Sequence, residues 1–268
     1  MVSTAPEGFS FVTALGGAPV QGTEEAQGMQ ELARLRTAHQ DLLRAISHDL
    51  RAPVRHITAF TPLLREIVEP AALLAAERAE ALEFLATIEQ AGQRMGRMID
   101  GLLALSRIQA AALRVEAVDL DRLLPQVVDE LTPSAAGRSM DWRLGPGLGV
   151  VQADEALLRQ LIKELLANAI KFTRNTPAPC IAVRAVRSGD GDGIGAWTLQ
   201  VQDNGAGFDG AQAHGLFGLF QRLHPEREFE GVGAGLAIVR AVAQRHGGSV
   251  SAQAAPGAGC TVEVVWSA

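Results

Sequence analysis

Apolar residues between positions 29 and 113 recur with the spacing of a helix. Leu35, Leu42, Ile46, Leu50, Val54, Ile57 and Leu64 follow one another at steps of three, four or seven, which sets them along one face of a long helix. Glu69-Pro70 ends it, because proline withdraws a backbone donor and crowds the preceding turn. A second run, from about 73 to 113, carries Leu85, Ile88, Met95, Ile99 and Leu102 at similar spacing, with Ile88, Met95 and Leu102 one heptad apart. Two long helices with a short loop form a hairpin. Each leaves an apolar stripe that a second copy would cover in a four-helix bundle, so a homodimer is expected.

After about residue 115 the pattern is mixed. Helical runs near 119–131, 154–172 and 233–247 alternate with strand-like runs at 180–187, 196–203 and 259–266. This predicts an α/β sandwich with helices on one face of a mostly antiparallel sheet. The stretch 204–232 is glycine-rich, aperiodic and long for a connection, as functional lids and disordered segments are. The chain thus divides into a tail over 1–27, a helical hairpin over 28–114 and an α/β module over 115–268, and 268 residues suit two domains of roughly 100–200 each.

Composition narrows the function. Hydrophobic residues make up 47% and charged residues 20%, enough to bury a core. A formal charge of −6 and no basic stripe argue against nucleic acid as a partner. The first positive side chain is Arg34, and the apolar stretch from Phe9 to Val20 is broken by glycines. It is too short for a membrane span of roughly 20 residues, so neither leader nor span is expected and the location expected is cytoplasmic. Cys180 and Cys260 lie far apart, outside any zinc-ligand spacing, and read as packing residues.

Several positions carry chemistry. His48 sits in Ser47-His48-Asp49-Leu50-Arg51-Ala52-Pro53. With Ile46 and Leu50 on the apolar face, His48 points to the opposite side at 100° per residue, and Pro53 bends the helix just beyond it. A carboxylate at Asp49 can hold the imidazole tautomer and take its proton. Glu164 and Asn168, four residues apart on one helix, can both offer oxygens to a Mg²⁺ bridging phosphates. Lys171, one of only two lysines, is placed to supply phosphate charge. Gly231, Gly233 and Gly235 precede the apolar run from Leu236, where backbone amides at a helix start can approach phosphate.

Taken together, these segments resemble the signatures of sensor histidine kinases, in the family's order. Ser47 to Pro53 resembles the phosphoacceptor box. Glu164-Leu165-Leu166-Ala167-Asn168-Ala169-Ile170-Lys171-Phe172-Thr173 resembles the asparagine box. Asp203-Asn204-Gly205-Ala206-Gly207 and Gly231-Val232-Gly233-Ala234-Gly235-Leu236 resemble the two glycine boxes, with Phe217 and Phe220 matching the phenylalanine box between them. The likeness spans about 29–268, and Phe217-Gly218-Leu219-Phe220-Gln221-Arg222-Leu223-His224 is most like the kinase modules of phytochrome-type sensors.

The resemblance implies a dimerisation hairpin bearing the phosphoacceptor His48, followed by an ATP-binding domain of the histidine kinase and gyrase-type ATPase class. It further implies ATP with Mg²⁺, and transfer to an aspartate on a response regulator receiver domain. Asp203 would accept a hydrogen bond from the adenine amino group, Phe217 and Phe220 would pack the lid over ATP, and Arg222 would contact phosphate. Glu164 departs from the family, where many members carry asparagine; ATPases of the same fold class use such a carboxylate to activate water. Two alternatives therefore stand beside the kinase: an inactive phosphotransfer scaffold, which the intact glycines argue against, and an ATPase, which leaves the His48-Asp49 helix unexplained.

Overall fold

Helices α1 (residues 50–68) and α2 (Ala75–Ala110) pair antiparallel. Arg51 Nη2 meets Asp100 Oδ1 at 2.7 Å and Arg65 Nη2 meets Glu89 Oε2 at 2.9 Å, so numbers rise on one helix as they fall on the other. Gly92 makes the close approach possible, because a Cβ there would stand 3.1 Å from the side chains of Ile57 and Thr58. Val54, Ile99 and Leu103 form the apolar seam between them. This computed structural model describes Ser47 and residues 50–70, 75–135, 137–188, 195–225 and 227–267. The expected tail, the stripe positions Leu35, Leu42 and Ile46, and His48 and Asp49 lie outside the described residues.

The single apolar stripe expected on each helix is in fact split. Val54, Leu85 and Ile99 are buried, whereas Leu50, Leu64, Ile88 and Met95 are exposed together with Phe60, Leu63, Ile67 and Phe84. A heptad stripe is wide, and one facing helix covers only one flank of it. The other flank is left exposed.

In the α/β layer, aspartates start two of the helices. Asp119 accepts from Arg122 N at 3.3 Å to open α3 (Leu120–Leu131), and Asp154 accepts from Leu157 N at 3.1 Å to open α4 (Glu155–Phe172). The third, α5 (Gly235–Arg245), has Ala234 at its cap and no side-chain cap bond. Strands β1 (Glu116–Asp119) and β3 (Val150–Ala153) make a small antiparallel pair. The main sheet has the order β2 (Asp141–Leu144), β4 (Cys180–Ser188), β5 (Ala196–Asp203), β7 (Cys260–Ser267), β6 (Ser249–Ala254). Its β2–β4 pair is parallel and the rest antiparallel.

Register decides where the chemistry falls. Val183, Val201 and Val262 stand in one row, Leu199 and Val264 in the next, and all five are buried towards the helices. Continuing that row pattern brings Ile181, Asp203 and Cys260 side by side. Asp203 is thus on the core face by the period of two, at the end of its strand. The α/β sandwich expected from the sequence is present, and its three expected strands agree to within one residue. Short β1, β2 and β3 and the weakly apolar β6 had no periodicity to reveal them.

Candidate active site

A cleft of about 850 Å³ lies among α4, the loop after β5, the start of α5 and helix α2. Of the residues singled out from sequence, Glu164, Asn168, Lys171, Asp203, Gly207, Arg222, Gly231, Gly233, Gly235 and Leu236 line it. Gly205, Phe217 and Phe220 do not.

Helical spacing puts Glu164, Asn168 and Lys171 on one side of α4. Lys171 Nζ donates to Asn168 Oδ1 at 3.1 Å and stands 4.4 Å above the Phe172 ring. Burial pushes the Lys171 ammonium below its usual range, with the Glu230 charge opposing. Burial likewise pushes the Glu164 carboxyl up, partly offset by Lys171 and Lys163. A Cβ on Gly235 would stand 2.6 Å from Glu164 Oε2, so a side chain there would displace this carboxylate from the α5 start.

Asp203 is a buried carboxyl whose Oδ1 accepts from Gly205 N at 2.8 Å. Burial pushes its pKa to about 6, against the pull of the Gly205 and Cys260 amides. Gly205 shapes this turn rather than the cleft wall, since a Cβ there would meet the Phe172 carbonyl oxygen at 2.5 Å. Cys260 beside it has its thiol pushed up to about 12 by burial and the Asp203 charge, and packs against the core.

The lid residues have contacts of their own. Phe217 packs against the hydrophobic core and does not line the cleft. Phe220 takes φ 62°, the left-handed region costly for a non-glycine residue, and its N–H donates to Gly233 O at 2.9 Å. Arg222 donates through Nη2 to Phe229 O at 2.7 Å and through Nη1 to Gly231 O. Its guanidinium braces the lid here through those two bonds.

Sequence reasoning missed an aromatic cluster that fastens lid to helix. Phe172, His224 and Phe229 pack with centroids 5.0–5.4 Å apart, and Arg174 joins Glu230 at 2.6 Å. Phe172 lay inside a quoted motif, but nothing local marked Phe229. Arg97, Asp100 and Gly101 of α2 also line the cleft, with no signal in their own neighbourhood.

The arrangement suits a nucleotide. A buried carboxylate offers base recognition, and the uncapped α5 start leaves orphan amides, the usual cradle for phosphate. For a metal, no cluster of three or more His, Cys, Asp or Glu occurs among the described residues. Mg²⁺ ordinarily takes one or two protein oxygens plus phosphates and water, so Asn168 with Glu164 fits that pattern.

Known proteins share the domains that carry this cleft. Residues 38–111 match the His Kinase A (phospho-acceptor) domain, and residues 153–268 match the histidine kinase-, DNA gyrase B- and HSP90-like ATPase family. The chain belongs to the sensor histidine kinases, as a catalytic core carrying both domains. It is 30% identical over 241 residues to cyanobacterial phytochrome A of Nostoc sp., covering 90% of this chain and 30% of that protein. It is 31% identical over 250 residues to the sensor histidine kinase CpxA of Escherichia coli, covering 91% and 50%. The chain therefore spans a third to a half of these relatives' length. Among solved structures, full-length ShkA in complex with AMPPNP superposes with TM-score 0.57 at 26% identity, covering 84% of this chain and 45% of that one. The Acinetobacter baumannii histidine kinase AdeS, at 18% identity and TM-score 0.54 over 82% of this chain and 97% of its own, shares the fold. Among the described residues no helix is long and apolar enough to cross a membrane.

Proposed function

We propose that this chain is an ATP-dependent histidine autokinase that phosphorylates His48 and passes the phosphoryl group to an aspartate of a response regulator receiver domain. The observation that carries this reading is the convergence of Asp203, Asn168, Lys171 and the uncapped α5 start on one cleft, walled by the helix that partners α1. We read 28–114 as the dimerisation and phosphotransfer module, 115–268 as the catalytic ATP-binding module, and the setting as cytoplasmic.

In this reading Asp203 accepts from the adenine amino group and the amides around Gly233 and Gly235 hold phosphate. Lys171 adds positive charge, and Asn168 and Glu164 hold Mg²⁺, which neutralises phosphate charge when bound. An imidazole nitrogen of His48 attacks the γ-phosphorus, the P–N bond forms as the P–O bond to ADP breaks, and Asp49 takes the imidazole proton. General-base help of this kind is worth ~10²–10⁴-fold. Incubation with γ-labelled ATP and Mg²⁺ is expected to give an acid-labile, base-stable label that disappears in His48→Gln. A label surviving that substitution rejects the assignment, and phosphate release undiminished in His48→Gln marks an ATPase using Glu164.

The exposed stripe through Phe60, Leu64, Ile67, Phe84, Ile88 and Met95 supports a homodimer. Placing carboxylates in it, as in Phe60→Glu with Ile67→Glu, is expected to turn the dimer into a monomer by light scattering at micromolar concentration. A wild type that is itself monomeric there refutes the dimer.

Protonation of Asp203 gives a second expected result. With a folded pKa of about 6 against an ordinary 3.8, the folded chain keeps a proton that the unfolded chain has released. Its contribution to stability is full below pH 3.8 and lost as pH rises through about 6. Nucleotide binding runs oppositely, because the adenine amino group needs the ionised carboxylate. ATP affinity should fall below about pH 6, and binding at that pH should release protons, measurable by calorimetry in buffers of different ionisation enthalpy. Absence of proton release removes Asp203 from the adenine contact.

A further inference from the structure

Helix α2 is packed against the second glycine loop by an unusually close approach. Gly101 is buried, and a Cβ on it would stand 2.7 Å from the Cβ of Ala234, the residue that opens α5. Neither atom belongs to a flexible side chain, so any larger residue at Gly101 would push the two elements apart. Its neighbour Asp100 lines the cleft and at the same time holds Arg51 of α1 at 2.7 Å. Arg51 stands three residues along the chain from His48. A chain of contacts thus runs from the phosphate loop through Ala234, Gly101 and Asp100 to Arg51.

We propose that Asp100 is a positioning residue for phosphoryl transfer, fixing the start of α1, three residues along the chain from His48, to the wall of the nucleotide cleft through Arg51. This rests on the kinase reading above. The pair contributes little to stability, since its side chains are 38% and 68% exposed and solvent screens such a bond. Its value is geometric: transfer requires the attacking nitrogen close to and in line with the γ-phosphorus, and a displacement of about 1 Å costs roughly 10²-fold in rate. The hairpin has a second cross-helix ion pair, Arg65 with Glu89 at 2.9 Å, and neither of its residues lines the cleft. It serves as an internal control.

The test measures ATP affinity, melting temperature and the first-order rate of His48 labelling, in the dimeric chain as it stands. A label in the wild type that His48→Gln removes first establishes the kinase reading; without one, that reading has failed and not merely this one. Given that label, Asp100→Asn is expected to slow labelling about 10–100-fold with ATP affinity changed less than about twofold. Glu89→Gln should leave the rate within about twofold of wild type. The exchanged pair, Arg51→Asp with Asp100→Arg, should recover at least tenfold over the Arg51→Asp single variant. The proposal is overturned if Asp100→Asn labels at the wild-type rate, if it loses ATP affinity in proportion to rate, if Glu89→Gln slows labelling equally, or if the exchange restores nothing.

Discussion

Asp203→Asn is expected to weaken nucleotide binding by about 100-fold while leaving the fold intact or firmer. The two effects have opposite signs because the carboxylate is buried. Ionised at neutral pH, it sits above its ordinary pKa and so costs the apo protein stability, a cost an amide does not carry. Toward adenine the change is damaging: an amide nitrogen turned to the exocyclic amino group sets donor against donor. Hydrogen bonds to charged groups contribute ~1.5–3 kcal/mol, so ATP affinity should drop by about 100-fold and labelling of His48 to background. Asn168→Asp should also abolish labelling, with the dimer retained, because the nucleotide cleft and the exposed hairpin stripe are separate surfaces. Equilibrium binding with a fluorescent ATP analogue, alongside thermal melting, checks both signs; wild-type labelling in either variant removes it from the nucleotide site.

Gly207→Ala should have the largest effect on the fold of any single methyl added to the site. Gly207 has φ 60°, and a Cβ on it would run into the carbonyl oxygen of Ala255 in the turn between β6 and β7. Gly257 N donates to Ala206 O at 2.7 Å across the same junction, so the turn cannot simply retreat. Left-handed strain of ~1–3 kcal/mol and overpacking of a similar size combine to about 2–6 kcal/mol. Denaturant titration should show a lower midpoint, and ATP affinity should fall with it as the loop carrying Asp203 shifts. A midpoint equal to wild type would mean that the loop is not held against the β6–β7 turn.

Much of the site was legible because its chemistry is local. Glu164, Asn168 and Lys171 are within seven residues on one helix, and α4 forms because its apolar positions recur at 3.6 and Asp154 caps it. Gly231, Gly233 and Gly235 are spaced for a phosphate loop whatever surrounds them. The packing of Phe217 was not legible for the converse reason. A lone aromatic in an aperiodic loop turns to whichever apolar surface is nearer, and only the packed core settles which that is. Arg222 was similar, since the Gly231 and Phe229 carbonyls that accept from it come close only once the lid has folded.

By itself the sequence determined the helical hairpin and the α/β layer, because periodicity acts within a few turns of chain, and it carried the likeness of the nucleotide motifs and the phosphoacceptor box in short runs of adjacent residues. Tertiary structure alone decided the rest. It split the apolar stripe into a seam and an open surface, since which flank is covered depends on the facing helix. Register put Asp203 between Ile181 and Cys260 on the core face, from strands far apart in the chain. Residues 49 positions apart became the Arg51–Asp100 pair, and residues 133 apart (234 − 101) became the Gly101–Ala234 joint, because distances through space between separated segments are set by packing.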